Sequence, residues 1–323
     1  MNMLIIGGAG YIGGVTAHLA KKAGHTVTIV DDLSTGNDYN IPAGATFINA
    51  DIRRRDAARN IFALPCDAVI HLAARILVPE SMQQPYTYFD TNTHGVLNVV
   101  DAAATAGVKN YILSSTAAVY GAPVHIPLQE SDPTSPVNPY GASKLLAEQL
   151  LASYAITHHL NWVALRYFNV AGAYDGVGTD YPFVSHIIPS FLEQMRSKKP
   201  IRINGNDYDT PDGTAIRDYV HVVDIARAHL LAAEKLGAGT ICQPINLGSH
   251  NGFSVKQVAE TFNKVTGADL PIEYHPRRAG DPPKLIASNE RAKKLLDWQP
   301  EYELETIIRD HYQWFKTQSR RKR

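Results

Sequence analysis

The sequence predicts an α/β fold, a doubly wound parallel sheet joined to a second, smaller α/β domain. Three observations carry this. Short apolar runs alternate with amphipathic stretches through the first half of the chain. Glycines stand at positions 7, 10 and 13, between the first apolar run and the first amphipathic stretch. After Gly172 the alternation weakens and turns multiply, as in Tyr174–Asp180 and Gly205–Gly213. Apolar strands that alternate with helices imply a parallel sheet covered on both faces.

Met3–Ile6 reads as a buried strand, the stretch to Ala23 as a helix closed by Gly24, and His25–Val30 as a second strand ending in Asp31. Glycine is needed where the chain turns sharply, where backbone approaches a pyrophosphate, and where helix packs on strand. Gly7, Gly10 and Gly13 (spacing GxxGxxG) therefore read as the phosphate turn of a Rossmann unit. The following helix start offers free N–H groups and a positive dipole end to the phosphates. Asp31 falls where a carboxylate holds a ribose 2′-hydroxyl, and the Asp31–Asp32 pair repels a 2′-phosphate, so NAD is expected in preference to NADP.

Ala45–Ala50 reads as a third strand, ending at Asp51 and Ile52 where an adenine ring could be flanked. A helix over 54–63, a strand over Ala68–Leu72, a helix over 86–106 and a fifth strand over Tyr111–Leu113 follow. A helix opened by Pro139–Tyr140 and a strand over Trp162–Leu165 complete the first domain. Such sheets bind ligands beyond the carboxyl ends of their strands, which puts Ser114, Ser115 and Thr116 in functional position. Tyr140 and Lys144 stand four apart at a helix start, so both side chains leave one face. A phenol ordinarily titrates at about 10. A nearby ammonium favours the phenolate and lets tyrosine move protons near neutral pH.

The second domain is expected from about residue 171, and the segment from Asp218 is expected to return to the first. It contains scattered arginines, among them Arg217, Arg277 and Arg278, whose guanidinium forks suit diphosphates. The 31 basic and 31 acidic residues balance, so neither a nucleic acid nor a membrane partner is expected. No apolar segment is long enough to cross a bilayer, and the opening residues read as a strand and not as a leader. Cys66 and Cys242 have no CxxC partner, which fits a reducing cytoplasm. No metal site is expected, and the basic tail Ser319–Arg323 reads as a solvated end.

These residues resemble the extended short-chain dehydrogenase/reductases and, within them, the UDP-glucose (UDP-galactose) 4-epimerases. The matching text is GGAGYIG (7–13), DDLSTGN (31–37), SSTAAVYG (114–121), PYGASK (139–144) and LRYFNVAGA (165–173). It continues in TPDGTAIRDYVHV (210–222), NLGS (246–249) and RRAGD (277–281), so the likeness spans nearly the whole chain. It implies that Tyr140 takes the proton from the sugar 4-hydroxyl while C4 gives hydride to bound NAD. The 4-keto sugar then turns over and hydride returns to its other face.

The resemblance further implies that Lys144 holds the nicotinamide ribose and depresses the tyrosine, and that Thr116 bonds the 4-oxygen. It assigns NAD contacts to Gly7, Gly10, Tyr11, Ile12, Gly13, Asp31, Asp51, Ile52, Leu72, Ala73, Ala74, Asn92, Ser114 and Tyr167 beside Tyr140 and Lys144. It assigns the UDP-sugar to Asn169, Arg217, Tyr219, Arg278 and Asp281 with Thr116 and Tyr140. The implied domains are an NAD-binding one over 1–170, with returning segments near 218–250, and a UDP-sugar-binding one over 171–323. A homodimer built from helices near 86–106 and 140–158 is expected.

Three departures from the family wording stand out. Ile76 takes the place of a phosphate-reaching lysine, with Arg75 beside it. Leu285 takes the position whose size gates N-acetylated sugars, and Pro182–His186 replaces a commoner acidic wording. A nucleotide-sugar 4,6-dehydratase needs an acid and a base after the fifth strand, where this chain has Ala117–Ala118. A 4-epimerase of UDP-N-acetylhexosamine or a UDP-pentose stays open, as does a non-catalytic NAD-binding regulator, since fold alone does not establish function.

Overall fold

The computed structural model describes residues 1–179, 186–239, 241–278 and 280–321, with 319–321 described by backbone alone. The departure noted over Pro182–Ser185, and the last two residues of the basic tail, lie outside the described residues. The tail's Ser319–Arg321 continues a helix and is not a frayed end.

Seven strands form one parallel sheet: β1 (Asn2–Ile6), β2 (Thr26–Asp31), β3 (Thr46–Asn49), β4 (Ala68–His71), β5 (Asn110–Thr116), β6 (Asn161–Tyr167) and a late strand at Cys242–Leu247. The chain runs outward from β1 through β2 to β3, then returns to lay β4 on the other side of β1 and continues through β5 and β6 to the late strand. The carboxyl ends of β1 and β4 are therefore a switch point, the place where open α/β sheets leave a crevice. The backbone draws it tight: Gly7 N donates to Val30 O (2.7 Å) and Ala73 N to Ile6 O (2.9 Å).

Helix α1 (Tyr11–Lys22) follows β1, and α2 (Arg55–Asn60) precedes β4. The helix expected over 86–106 differs. The structure has α3 (Val78–Gln83), α4 (Pro85–Phe89), a π-helical turn over Asp90–His94 and α5 (Gly95–Thr105). Pro85 lacks an N–H and starts a new helix at its first position, and the π-turn rotates Asn92 inward. Long α6 (Pro139–His158) joins β5 to β6. Val96, Val99, Val100 and Ala103 of α5, with Ala147 and Leu151 of α6, cover one face of the sheet. Ala17 and Ala20 of α1, with Ile225 and Ala228 of a later helix, cover the other.

The fifth strand runs three residues further than expected. Ser114, Ser115 and Thr116 pair with Leu165, Arg166 and Tyr167 of β6. Serine and threonine are turn formers by local preference, but a buried ladder partner overrides that preference.

Beyond β6, short β7 (Asn169–Ala171) leads to α7 (Ile187–Arg196), β8 (Ile201–Asn204), β9 (Ile216–Arg217) and β10 (Tyr219–His221). Helix α8 (Val222–Ala238) then packs on α1 and delivers the late strand, β11 (Cys242–Leu247), to the edge of the main sheet. The His221 ring accepts from Val223 N (3.0 Å) and caps α8, as a histidine at a helix start should. A separate core of Phe191, Ile201, Ile203, Phe262, Ile307 and Ile308 joins α7 and β8 to α9 (Val255–Thr266) and a C-terminal helix over Leu304–Arg321.

Candidate active site

A cavity of about 240 Å³ opens over the switch point. Gly7 has φ +81°, and a Cβ there would lie 2.5 Å from Ala73 N. A Cβ on Gly13 would stand 2.0 Å from Gly7 O, so β1, its turn and α1 close up only with glycine at both places. Gly10 is less constrained: its Cβ would meet only Gly7 O, at 3.2 Å. The N-terminal residues of α1, Tyr11 and Ile12, line the cavity. The Tyr11 hydroxyl points away and donates to Gly172 O (2.7 Å), tying this turn to the loop after β7.

Asp31 ends β2 on the cavity wall, its carboxylate accepting from Ala9 N (3.0 Å) and Leu33 N (2.9 Å). Burial raises it above the usual carboxylate range, and those two bonds oppose the rise. Asp51 and Ile52 line the same end. Asp51 grips Arg53 with both oxygens (2.9 and 2.7 Å), a pairing that holds the carboxyl below its ordinary value. Arg53, Ser34 and Thr35 also line this end and were not singled out from the sequence.

Leu72, Ala73, Ala74, Arg75 and Ile76 form the next wall. Asn92 does not line the cavity. Its amide accepts from Arg75 N (2.8 Å) and donates to Arg75 O (3.0 Å) and Ser143 Oγ (3.0 Å), so it shapes that wall from behind. Its hydrogen-bonding groups are turned to protein.

The far wall holds Ser114, Tyr140, Lys144 and Tyr167, with the Tyr167 hydroxyl donating to Ser114 Oγ. Asn138 caps α6 by accepting from Gly141 N (2.8 Å), and Pro139 takes the first helical position. A Cβ on Gly141 would lie 2.4 Å from Ala118 O, so the helix start is pressed against the turn after β5. That brings Tyr140 beside Thr116, whose hydroxyl accepts from Ala118 N (3.2 Å). Tyr88 meets the Tyr140 ring edge-on, with centroids 6.3 Å apart.

Burial raises the Tyr140 phenol above its usual value and the Thr116 hydroxyl opposes it. The depression expected from Lys144 is not part of this arrangement. Lys144 itself is 1% exposed and makes no hydrogen bond or ion pair with the described residues. Burial lowers its ammonium to about 8, with Glu148 opposing the fall. A buried cation without a protein partner is costly, and its cavity position suits a polar ligand. His71 below it has Nδ1 2.6 Å from the Tyr111 hydroxyl and is neutral, pushed down to about 3 by burial and then by Lys144.

The residues expected on the sugar side lie elsewhere. Arg217 and Asp281 are brought together at 2.6 Å. Asn169 donates to Asp218 O (2.9 Å) and shares a smaller cavity with buried Tyr219 and His311 and half-buried His186. Arg278 is exposed, and only its carbonyl joins the group, accepting from Asp281 N (3.3 Å). A polar cluster behind Lys144 joins Ser115, placed in functional position above, to Glu148, Arg166, Tyr120 and Asn246, which the sequence did not bring together. Its members are far apart in sequence and converge only through the β5–β6 pairing.

The chain matches the model of the NAD dependent epimerase/dehydratase family over residues 3–248. It is 45% identical over 313 residues to a UDP-glucose 4-epimerase of Corynebacterium glutamicum, covering 96% of this chain and 94% of that one. A UDP-glucose 4-epimerase of Brucella ovis, solved in complex with NAD, superposes with TM-score 0.93 at 38% identity, over 97% of this chain and 98% of that one. A Thermotoga maritima UDP-glucose 4-epimerase solved with UDP-glucose superposes with TM-score 0.88 at 32% identity, over 99% and 100% of the two chains.

Proposed function

The chain belongs to the NAD dependent epimerase/dehydratase family, and we infer that it is an NAD-dependent UDP-glucose 4-epimerase, interconverting UDP-galactose and UDP-glucose. The observation that carries the reading is one wall of the cavity. Tyr140 stands beside Thr116, and the buried cation of Lys144, with no hydrogen bond to the described residues, lies one turn further along α6.

The cavity fits NAD. Glycine at 7 and 13 lets β1, its turn and α1 close up without side chains between them, and the start of α1 offers its N–H groups to a pyrophosphate. Asp31 keeps lone pairs for a ribose, and Lys144 donates to the ribose at the other end. When bound, NAD supplies a hydride acceptor and donor at C4 of the sugar. Tyr140 takes the proton from the 4-hydroxyl and returns it, and Thr116 holds the oxygen in line. Arg217 grips the diphosphate, assisted by Asn169, Tyr219, Arg278 and Asp281, so the region from about 171 acts as the UDP-sugar domain. Ala117 and Ala118 can move no protons, which speaks against a dehydratase.

Leu285 is half-buried against Val119, Tyr120 and Leu128. Exposed Leu146 and Ile156 on α6, with Tyr86 on α4, support a homodimer through that face. No described helix is long and apolar enough to cross a membrane, and the unpaired Cys66 and Cys242 support a cytoplasmic setting.

Purified protein given UDP-galactose and no added NAD is expected to form UDP-glucose, read with a UDP-glucose-specific dehydrogenase. If turnover fails even with NAD supplied, the assignment falls to the N-acetylhexosamine or pentose substrates. If those fail while NAD still binds, a regulatory role replaces it.

A further inference from the structure

Behind the wall that carries Lys144 lies a fully buried ion pair that the chemistry above leaves unused. Arg166 donates to Glu148 from Nε (3.0 Å to Oε1) and from its terminal nitrogen (2.6 Å to Oε2). Both side chains are 5% exposed. Ser115, between Ser114 and Thr116 on β5, donates to the same carboxylate. Arg166 also donates to the Tyr120 hydroxyl (3.0 Å), which donates to Asn246 (2.7 Å).

Removing such a pair in favour of apolar residues is often neutral or stabilising, so burial alone does not explain it. Its place does. Glu148 follows Lys144 by four residues on α6, as Lys144 follows Tyr140, so the three occupy one stripe of the helix. The carboxylate thus fastens that stripe to β5 beside Thr116 and to β6, one helical turn from the buried lysine.

Resting on the epimerase reading, we infer that Glu148 is a positioning residue for the reaction. Held by Arg166 and Ser115, it sets where Lys144 meets the cofactor ribose and keeps that lysine charged. The other titratable groups on the cavity do not replace it. His71 on β4 is neutral, and Tyr140 and Tyr167 are phenols. Arg75 and Glu80 face each other at 3.7 Å. Asp31 stands at the far end on β2, while Asp90 and His94 of the π-turn pair at the surface (3.2 Å). Arg166 on β6 opposes a lysine charge. Lys144 is already lowered to about 8, and Glu148 is what resists a further fall.

The test compares wild type, Glu148→Gln and Glu148→Gln/Arg166→Met between pH 6.5 and 9.5. The readouts are melting temperature, NAD retained after dialysis and epimerisation rate. The double variant removes both charges, so it separates loss of the anion from an unpaired arginine. In both variants the alkaline limb of the rate profile, and the pH at which NAD is lost, are expected to move down, by about one unit in Glu148→Gln and by less in the double variant, where the opposing Arg166 charge is gone too.

Unshifted limbs in a folded double variant overturn the inference while leaving the epimerase assignment intact. Failure of both variants to fold makes the pair a matter of stability and overturns it equally. A wild type without epimerase activity fails the assignment itself, and NAD retention then still reads the lysine charge directly.

Discussion

Three buried histidines make the fold sensitive to mild acid. His71 and His311 are pushed down to about 3 and His229 to about 4, in each case first by burial. Lys144 adds to the fall at His71, and His186 and His221 add to it at His311. Their unfolded value is about 6.5, so the unfolded chain binds protons that the native state refuses. The stability they contribute is therefore complete above about pH 6.5 and is lost as pH falls toward the folded values. Between pH 7.5 and 5.5 each costs about 1.4 kcal/mol, or about 4 kcal/mol together. With an unfolding entropy of about 2.1 cal/mol/K per residue over 323 residues, that is a fall of about 6 °C in Tm. Asp31, Asp218 and Asp224, which burial raises, act with the opposite sign, so a single substitution isolates the histidine effect. His229 shares Nδ1 only with Ile225 O (2.8 Å), an oxygen placed to accept the helical bond as well. His229→Leu should therefore reduce the difference by about 2 °C, measured by scanning calorimetry in matched buffers. An unchanged Tm difference in that variant, or a wild-type Tm that rises on acidification, refutes the reasoning.

Two substitutions probe the site. Gly13→Ala places a Cβ 2.0 Å from Gly7 O, a backbone atom that cannot swing away. NAD carried per purified chain should fall at least about tenfold, whereas Gly239→Ala, where a Cβ meets nothing within 4 Å, should keep it. Arg217→Met removes a charged donor held at 2.6 Å by Asp281. KM for UDP-galactose should rise roughly 10- to 100-fold with NAD content unchanged, and an unaltered KM would remove Arg217 from the diphosphate site.

The layered fold was legible because burial on both faces writes itself as short apolar runs, and the glycine turn because steric exclusion allows no other residue. Gly7 and Gly13 are forced by contacts at 2.5 and 2.0 Å, while Gly10 is not, a difference the spacing could not reveal. Ser114–Thr116 were read as following the strand because their local preference is for turns, yet the register with Leu165–Tyr167 decides their conformation. The π-turn that aims Asn92 at the Arg75 backbone leaves no periodic trace, since one displaced turn barely alters an apolar stripe. Nothing in the sequence marks Glu148 among the acids of α6; its partners Ser115 and Arg166 come from two strands that meet it only in the fold.

The most direct measurement of the central claim is the Tyr140→Phe variant, purified with its NAD and assayed on UDP-galactose at pH 8. Phenylalanine keeps the ring packed against Tyr88 and removes only the hydroxyl that meets Thr116. The account predicts wild-type melting temperature and NAD content with turnover reduced by roughly 100- to 10,000-fold, the span of a lost acid/base group. Turnover within a few-fold of wild type would contradict it and move the proton transfer to another residue.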